Sequence, residues 1–192
     1  MKIGVLALQG AFIEHEKILK QLGVDVVEVR LPQHLEGLDG LIIPGGESTT
    51  IGKLAVEYGL LEPLRDFASR KPTWGTCAGM ILLAKDIGSD RQPLLGLMDI
   101  CVNRNAFGRQ VDSFETDLAI PVVGEAPFHA VFIRAPIVAE ADTHVTVLAT
   151  LGDGRIVAVQ QGHLLATAFH PELTGDSRLH RHFVHMIESG AA

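Results

Sequence analysis

Short apolar runs alternate with segments of helical period through the first half of the chain, and this alternation restricts the fold more than any other feature. Four runs predict buried strands, at residues 3–8, 24–29, 40–43 and 72–75. Three segments between them carry apolar side chains at helical spacing, at residues 12–22, 48–58 and 60–68. Because parallel strands are usually joined by a helix, this order predicts a mainly parallel sheet with helices on both faces.

The second half of the chain has a different pattern, with few helices between its strands. Its strand-like segments lie at residues 97–102, 129–134, 145–149, 155–160 and 164–169. Hairpin signals at Gly152–Gly154 and Gln161–Gly162 predict antiparallel additions to the sheet, before a last helix over residues 177–188. The predicted fold class is therefore α/β, a single-domain three-layer sandwich over residues 1–192.

Composition supports this class and excludes several functions. Hydrophobic residues make up 47% of the 192 residues but aromatics only 5%, so the core must be mostly Val, Ile, Leu and Ala. A net charge of -7 has the wrong sign for holding a phosphate backbone. Lys2 leads directly into the first strand rather than a signal peptide, and no apolar stretch approaches the roughly 20 residues of a spanning helix. With only two cysteines, the sequence predicts a reduced, cytoplasmic protein.

The segment Gly75–Gly79 reads Gly-Thr-Cys-Ala-Gly and places Cys77 where a strand gives way to a helix. This is the spacing of a nucleophile elbow, because the glycines let the chain turn sharply beside the thiol. A helix N-terminus also favours the reactive thiolate. On this segment alone a small buried cysteine is an equal alternative. Cys101 lies inside an apolar run with no glycines around it, so we predict it to be a core residue.

His170-Pro171-Glu172 follows the last predicted strand, at the end of the sheet where α/β folds bind their ligands. Pro171 restrains the backbone, so Glu172 can fold back to accept from one imidazole nitrogen while the other faces a thiol. A histidine closing a strand and a glutamate opening a loop is the alternative. Together with Cys77, however, the order Cys, His, acid matches a catalytic triad.

The turn at Gly45-Gly46 ends another buried strand, and two glycines leave its backbone N–H groups accessible. Such a turn suits an oxyanion hole, although an ordinary glycine turn reads the same way. No Gly-Lys-Ser/Thr follows, so it is not a phosphate loop. Ser48, Thr49 and Thr50 offer hydroxyl caps for the next helix.

A metal site is the weaker interpretation of the histidines near the end of the chain. On a helix only His182 and His185 share a face, while His180 does not join them, and no acidic or cysteine ligand stands at a matching interval. A solvated terminal helix is the simpler prediction, and no metal is expected.

Cys77 within its glycines and the His-Pro-Glu sequence at 170–172 resemble the class I, or triad, glutamine amidotransferases. Narrower segments resemble one branch, the glutaminase subunits of pyridoxal 5'-phosphate synthase. They are Leu8–Ala11, Pro44–Thr50, Arg104–Phe114 and Phe132–Pro136. The resemblance runs from the first predicted strand to the last helix.

Carried over residue by residue, the resemblance implies a role for each matched position. Cys77 is the nucleophile, His170 the base and Glu172 its orienting carboxylate. Gly46 and Ala78 supply oxyanion N–H groups. The implied glutamine-binding residues are Gly46, Glu47, Ser48, Arg104, Ile133 and Arg134.

The resemblance also implies a partner, the synthase subunit that uses the ammonia released from L-glutamine. Pyridoxal phosphate is then a product of the complex, and no cofactor is expected on this chain. Gln9 and Gly10 are predicted to contact the partner. Three alternatives remain: a glutaminase of another pathway, a cysteine peptidase on a similar sheet, and a non-catalytic binding module.

Overall fold

A computed structural model describes residues 1–88, 91–104 and 113–190 of the chain. Its first half contains four strands, β1 (Lys2–Leu6), β2 (Asp25–Val29), β3 (Gly40–Ile43) and β4 (Thr73–Thr76). Helix α1 (Phe12–Gln21) connects β1 to β2, and helices α2 (Ser48–Glu57) and α3 (Leu61–Ala68) connect β3 to β4. This is the alternation that the sequence predicts.

The second half begins with helix α4 (Ala78–Leu83) and ends with helix α5 (Arg178–Glu188). Eight strands lie between them, namely β5 (Ala84–Asp86), β6 (Met98–Asn103), β7 (Ser113–Leu118), β8 (Phe128–Ile133), β9 (Ile137–Ala141), β10 (Thr146–Thr150), β11 (Ile156–Gln161) and β12 (Leu164–Thr167). Short 3-10 turns occupy Pro32–Leu35, Pro121–Val123 and Pro171–Leu173.

Ten strands of the described residues form one sheet in the order β2-β1-β3-β4-β12-β11-β9-β6-β5, with β10 also paired to β11. The strands from β2 to β12 in this order are parallel, and β11 pairs antiparallel with β12, β10 and β9. The hairpin β7-β8 forms a separate two-stranded sheet. The predicted mainly parallel sheet with antiparallel additions is confirmed.

Helices cover both faces of the parallel part of the sheet. Successive side chains of a strand point to opposite faces. On one face the Trp74 ring contacts His15 of α1 and His180 of α5. On the other face Gly75 lies against Gly79 of α4. The ends of β3, β4 and β12 therefore lie between two packed helical layers.

The structure departs from the sequence predictions in three strands and two residues. β5, β7 and β9 were not predicted as strands. The prediction that Cys101 is a core residue is wrong: it lies in β6 but is only partly buried, since alternate residues of this strand face outward. The prediction of a solvated last helix is wrong for His180, which is fully buried. None of the helices in the described ranges is long and apolar enough to cross a membrane.

Candidate active site

Cys77 lies in a tight connection between β4 and α4. Its φ of 50° is in the left-handed region, and its backbone N–H donates to Thr167 O at 2.8 Å. A Cβ on Gly75 would lie 2.4 Å from the carbonyl carbon of Gly79, and one on Gly79 would lie 2.1 Å from Ile43 O. Both glycines are therefore required by backbone contacts, and together they allow the sharp turn at Cys77.

His170 and Glu172 lie beyond the end of β12, at the turn Pro171–Leu173. The imidazole Nδ1 is 2.7 Å from Glu172 Oε1, and both residues are buried. Burial opposes protonation of the ring, but hydrogen bonds and negative charge from Cys77 and Glu172 outweigh it and raise the pKa of His170 to about 10. The arrangement favours an imidazolium between the cysteine and the carboxylate.

The glycine turn after β3 lies directly against this pair. A Cβ on Gly45 would lie 2.3 Å from His170 Cε1 and 3.3 Å from Cys77 Cβ. The same turn contacts the loop after β1, where Gly10 has a φ of 105° and a Cβ on it would lie 1.9 Å from Gly45 O. Gly10 and Gly45 must therefore both be glycine, and their contact holds the Gly45 turn beside the Cys77 thiol.

These elements border a cleft of about 330 Å³, the scale of a small-molecule site. Every residue predicted to bind glutamine or the oxyanion lines it, together with Cys77 and His170. The lining residues are Gln9, Gly46, Glu47, Ser48, Cys77, Ala78, Ile81, Arg104, Ile133, Arg134 and His170. Glu172 lies behind His170. The structure thus brings the predicted site residues together around one opening.

Backbone donors are available at one wall of the cleft. Ala78 is the first residue of α4, so its N–H belongs to the first turn, which lacks intrahelical partners. On the opposite wall, β8 runs into Ile133 and Arg134, and Ile133 O lies 3.9 Å from the Cys77 sulfur. Arg134 has a φ of 42°, and with Cys77 it is one of two non-glycine residues of positive φ in the described part of the chain. Strained backbone of this kind often accompanies functional sites.

Helix α2 begins differently from the sequence prediction. Its cap is Glu47, whose carboxylate accepts from the backbone N–H groups of Thr49 and Thr50 at 3.2 and 2.7 Å. The predicted hydroxyl caps are therefore wrong, since a carboxylate one residue earlier reaches the same donors. These bonds outweigh the opposing effect of burial and lower the pKa of Glu47. Arg104 approaches the same carboxylate at 3.5 Å, so both charges face the cleft.

Two lining residues were not predicted to belong to the site, Gln9 and Ile81. Gln9 Oε1 accepts the backbone N–H of Glu47 at 2.7 Å, and so supports the turn from inside the cleft. The signal available for Gln9 was its place directly after an apolar strand.

Of the segment Arg104–Phe114, residues 105–112 lie outside the described residues. Within the described ranges, no group of three His, Cys, Asp or Glu side chains is placed to hold a metal ion.

Comparison with known proteins identifies the family of the chain. Residues 5–189 match the model of the SNO glutamine amidotransferase family. The chain is 65% identical over 188 residues to the pyridoxal 5'-phosphate synthase subunit PdxT of Herpetosiphon aurantiacus, covering 96% of this chain and 99% of the relative. It is 64% identical to the subunit of the same name from Moorella thermoacetica, covering 97% of this chain and 100% of the relative.

A solved structure gives the same result for the fold. A crystal structure of a glutamine amidotransferase superposes with a TM-score of 0.91 at 54% identity, covering 97% of this chain and 98% of that chain. The resemblance that the sequence motifs indicate is thus confirmed, and the chain belongs to the SNO glutamine amidotransferase family.

Proposed function

We propose that this chain is the glutaminase subunit of a pyridoxal 5'-phosphate synthase and releases ammonia from L-glutamine through a covalent intermediate on Cys77. The observation that carries the proposal is the position of one buried imidazole, His170, beside Cys77 at an open cleft, with its Nδ1 2.7 Å from the Glu172 carboxylate. A cysteine, a base and an orienting acid are the parts of an activated nucleophile.

The first step forms a thioester. The Cys77 sulfur, its proton held by His170, attacks the side-chain amide carbon of glutamine. The oxyanion that develops rests on the backbone N–H groups of Gly46 and Ala78, where one donor is typically worth about 3 kcal/mol. Protonated His170 then gives its proton to the departing nitrogen as the C–N bond breaks, so ammonia leaves and a glutamyl thioester remains.

The second step regenerates the enzyme. His170, now neutral, takes a proton from water, and the hydroxide attacks the thioester carbon. The C–S bond breaks, glutamate leaves, and the proton on His170 is restored beside the Cys77 thiolate. Glu172 accepts from His170 Nδ1 throughout and stabilises each imidazolium.

Recognition of glutamine requires partners for its α-carboxylate and α-ammonium groups. Arg104 and Arg134 offer cations at the cleft, and Glu47 offers a carboxylate. Ser48 and the backbone of Ile133 complete the proposed binding set. Glu47 is already ordered by its bonds to Thr49 and Thr50, so little side-chain freedom remains to be lost on binding.

We infer that the ammonia is passed to a partner. Free ammonia is mostly protonated in water and loses its nucleophilicity. The relatives named as synthase subunits match this chain over 99% and 100% of their own length, which supports the same partner here. We infer a complex with the synthase subunit.

The test is glutamate release from L-glutamine with and without that synthase subunit, for the native chain and Cys77→Ala. We expect release by the native chain in the complex and none by Cys77→Ala. Release that persists in Cys77→Ala would refute the mechanism. A native chain that stays inactive with the synthase subunit, but acts with another ammonia acceptor, would refute the pathway.

The other functional classes make different predictions in the same assay. A cysteine peptidase would cleave peptides without any partner and would not require the α-carboxylate of glutamine. A binding module would keep its function in Cys77→Ala. Peptide and glutamine substrates compared side by side therefore separate the three classes.

A further inference from the structure

Two fully buried histidines from opposite ends of the chain lie behind Glu172. His15 of α1 places its Nδ1 2.9 Å from Nε2 of His180 in α5. Its other nitrogen, Nε2, lies 3.3 Å from Glu172 Oε2 and 3.3 Å from Thr76 Oγ1. The glutaminase mechanism proposed above uses neither histidine.

The second oxygen of Glu172 needs a donor that the proposed mechanism does not provide. Oε1 accepts from His170, but Oε2 is buried and has no hydrogen bond of standard geometry among the described residues. The nearest ring nitrogen is His15 Nε2, which lies 3.3 Å from Glu172 Oε2 and 3.3 Å from Thr76 Oγ1. An ionised buried carboxylate is costly without such a group.

Burial favours the neutral form of both histidines. Burial lowers the pKa of His180 to about 3. Burial, followed by the positive charges that His180 and His170 can carry, lowers the pKa of His15 well below its ordinary value. The groups that face the pair are Trp74 and Thr76 of β4, and His170 and Glu172 after β12.

Neutral rings at these distances allow only two arrangements of protons. In one, His15 carries its proton on Nε2 facing Glu172, accepts from His180 Nε2–H at Nδ1, and leaves His180 Nδ1 as a bare acceptor. In the other, His15 Nδ1–H donates to His180, a bare nitrogen faces the carboxylate, and His180 Nδ1–H is buried without a partner among the described residues. In the second arrangement a buried donor has no acceptor, and the nitrogen lone pair of His15 faces a lone pair of the carboxylate. The first arrangement is therefore favoured.

We propose that His15 and His180 are positioning residues for the glutaminase reaction: His180 fixes the tautomer of His15, and His15 Nε2–H holds the Glu172 carboxylate ionised and aimed at His170. The inference rests on the proposed function for its consequence, though not for its geometry. It extends the site to a chain of hydrogen-bonding groups that runs from Cys77 through His170, Glu172 and His15 to His180.

A measurement on the unaltered chain tests the proton positions. In 15N-labelled protein, long-range nitrogen–proton correlations of the two rings distinguish Nδ1–H, Nε2–H and doubly protonated forms. We expect Nε2–H alone on both His15 and His180 at neutral pH. An Nδ1–H form or an imidazolium at His15 overturns the proposal, whatever the chain catalyses.

Substitutions test the consequence for the reaction, in complex with the synthase subunit. Gln at position 15 can still donate to Glu172, whereas Leu cannot, so His15→Leu should lower kcat by about tenfold, the scale of one hydrogen bond to a charged group. KM should change little. The alkaline limb of the kcat/KM profile should move to lower pH by about one unit, because a loosened Glu172 stabilises the His170 imidazolium less.

Three further variants supply the comparison. His15→Gln should recover most of the lost rate and pH range, and His180→Leu should reproduce the defect of His15→Leu without touching Glu172. His185→Leu, on the exposed side of the same helix, should behave as the native chain. If His15→Leu and His180→Leu unfold more easily but keep the native pH profile and kcat, the histidines are merely structural and the proposal fails.

The proposal and the function on which it rests fail in different ways. If the native complex releases no glutamate, the proposed function fails. The positioning role is then tested by alkylating Cys77 with iodoacetamide at a series of pH values and measuring the Cys77 peptide by mass spectrometry. An alkylation profile in His15→Leu that is shifted from the native one supports the positioning role, and an unshifted profile refutes it.

Discussion

Gly45→Ala should disable the site while leaving the fold intact. The added Cβ would lie 2.3 Å from His170 Cε1, 2.9 Å from its Nδ1 and 3.3 Å from Cys77 Cβ. The imidazole must therefore move by about 1 Å to restore an ordinary carbon–carbon contact. That motion stretches its 2.7 Å hydrogen bond to Glu172 and changes its approach to Cys77.

The size of the effect follows from this displacement. A misplacement of about 1 Å in a catalytic group can cost about 100-fold in rate, equal to about 2.7 kcal/mol of transition-state stabilisation. We expect the loss in kcat rather than in KM, because Gly45 does not line the cleft. The thermal unfolding temperature should change little, because the side chain that moves, His170, lies next to an open cleft.

The assay is glutamate release in the complex, with thermal unfolding measured on the same preparations. Gly152→Ala is the matched control, because a Cβ there meets nothing within 4 Å and its φ is not in the left-handed region. It should retain native kcat and stability. A Gly45→Ala variant with kcat within threefold of the native chain would show that the turn yields instead of His170, and the reasoning would be wrong.

A change of pH and three substitutions have defined outcomes. Since the pKa of His170 is raised to about 10, its imidazolium is populated below that pH and lost above it, so kcat/KM should fall as pH rises through about 10. Glu172→Gln removes one of the charges that raise this pKa and should move the alkaline limb to lower pH. Gly79→Ala forces a Cβ to within 2.1 Å of Ile43 O and should lower the free energy of unfolding by about 1–3 kcal/mol, as overpacking does. Phe183→Ala empties a fully buried position and should lower it by about 3–5 kcal/mol.

Each of these outcomes has a plain contradiction. If Glu172→Gln leaves the alkaline limb of the kcat/KM profile at its native pH, the Glu172 carboxylate does not raise the pKa of His170. If Gly79→Ala gives the same chemical denaturation curve as the native chain, α4 can move away from β3. If Phe183→Ala loses only a little free energy of unfolding, α5 moves into the emptied space. Tyr58→Ala, at an exposed position, is the control for the two stability measurements.

Much of the fold was predictable because local patterns and tertiary contacts agree in the parallel half. The apolar runs of β1 and β3 are buried on both faces, so their sequences are continuous and easy to recognise. The strand β7 was missed because its residues alternate between exposed and partly covered and include two acids. The strand β5 follows α4 without any turn residue between them.

The candidate site likewise contains features that the sequence predicted and one that it missed. Cys77 within its glycines and Glu172 two residues after His170 are local arrangements, so spacing alone predicted them. Glu47 as the cap of α2 was missed, because hydroxyls at the next positions are equally good caps in sequence and only the turn geometry selects the carboxylate.

By itself, the sequence determined the elements whose causes are local: the buried strands, the elbow at Cys77, and the short loop that returns Glu172 to His170. Tertiary structure alone decided what those elements meet. The Gly45 turn lies against His170, and His15 meets His180 across 165 positions of the chain. Such contacts depend on how the sheet brings strand ends together and how two helices share one face, and no short stretch of residues encodes that distance. The sequence predicted a solvated last helix over residues 177–188, and only packing showed that His180 of α5 is fully buried and meets His15.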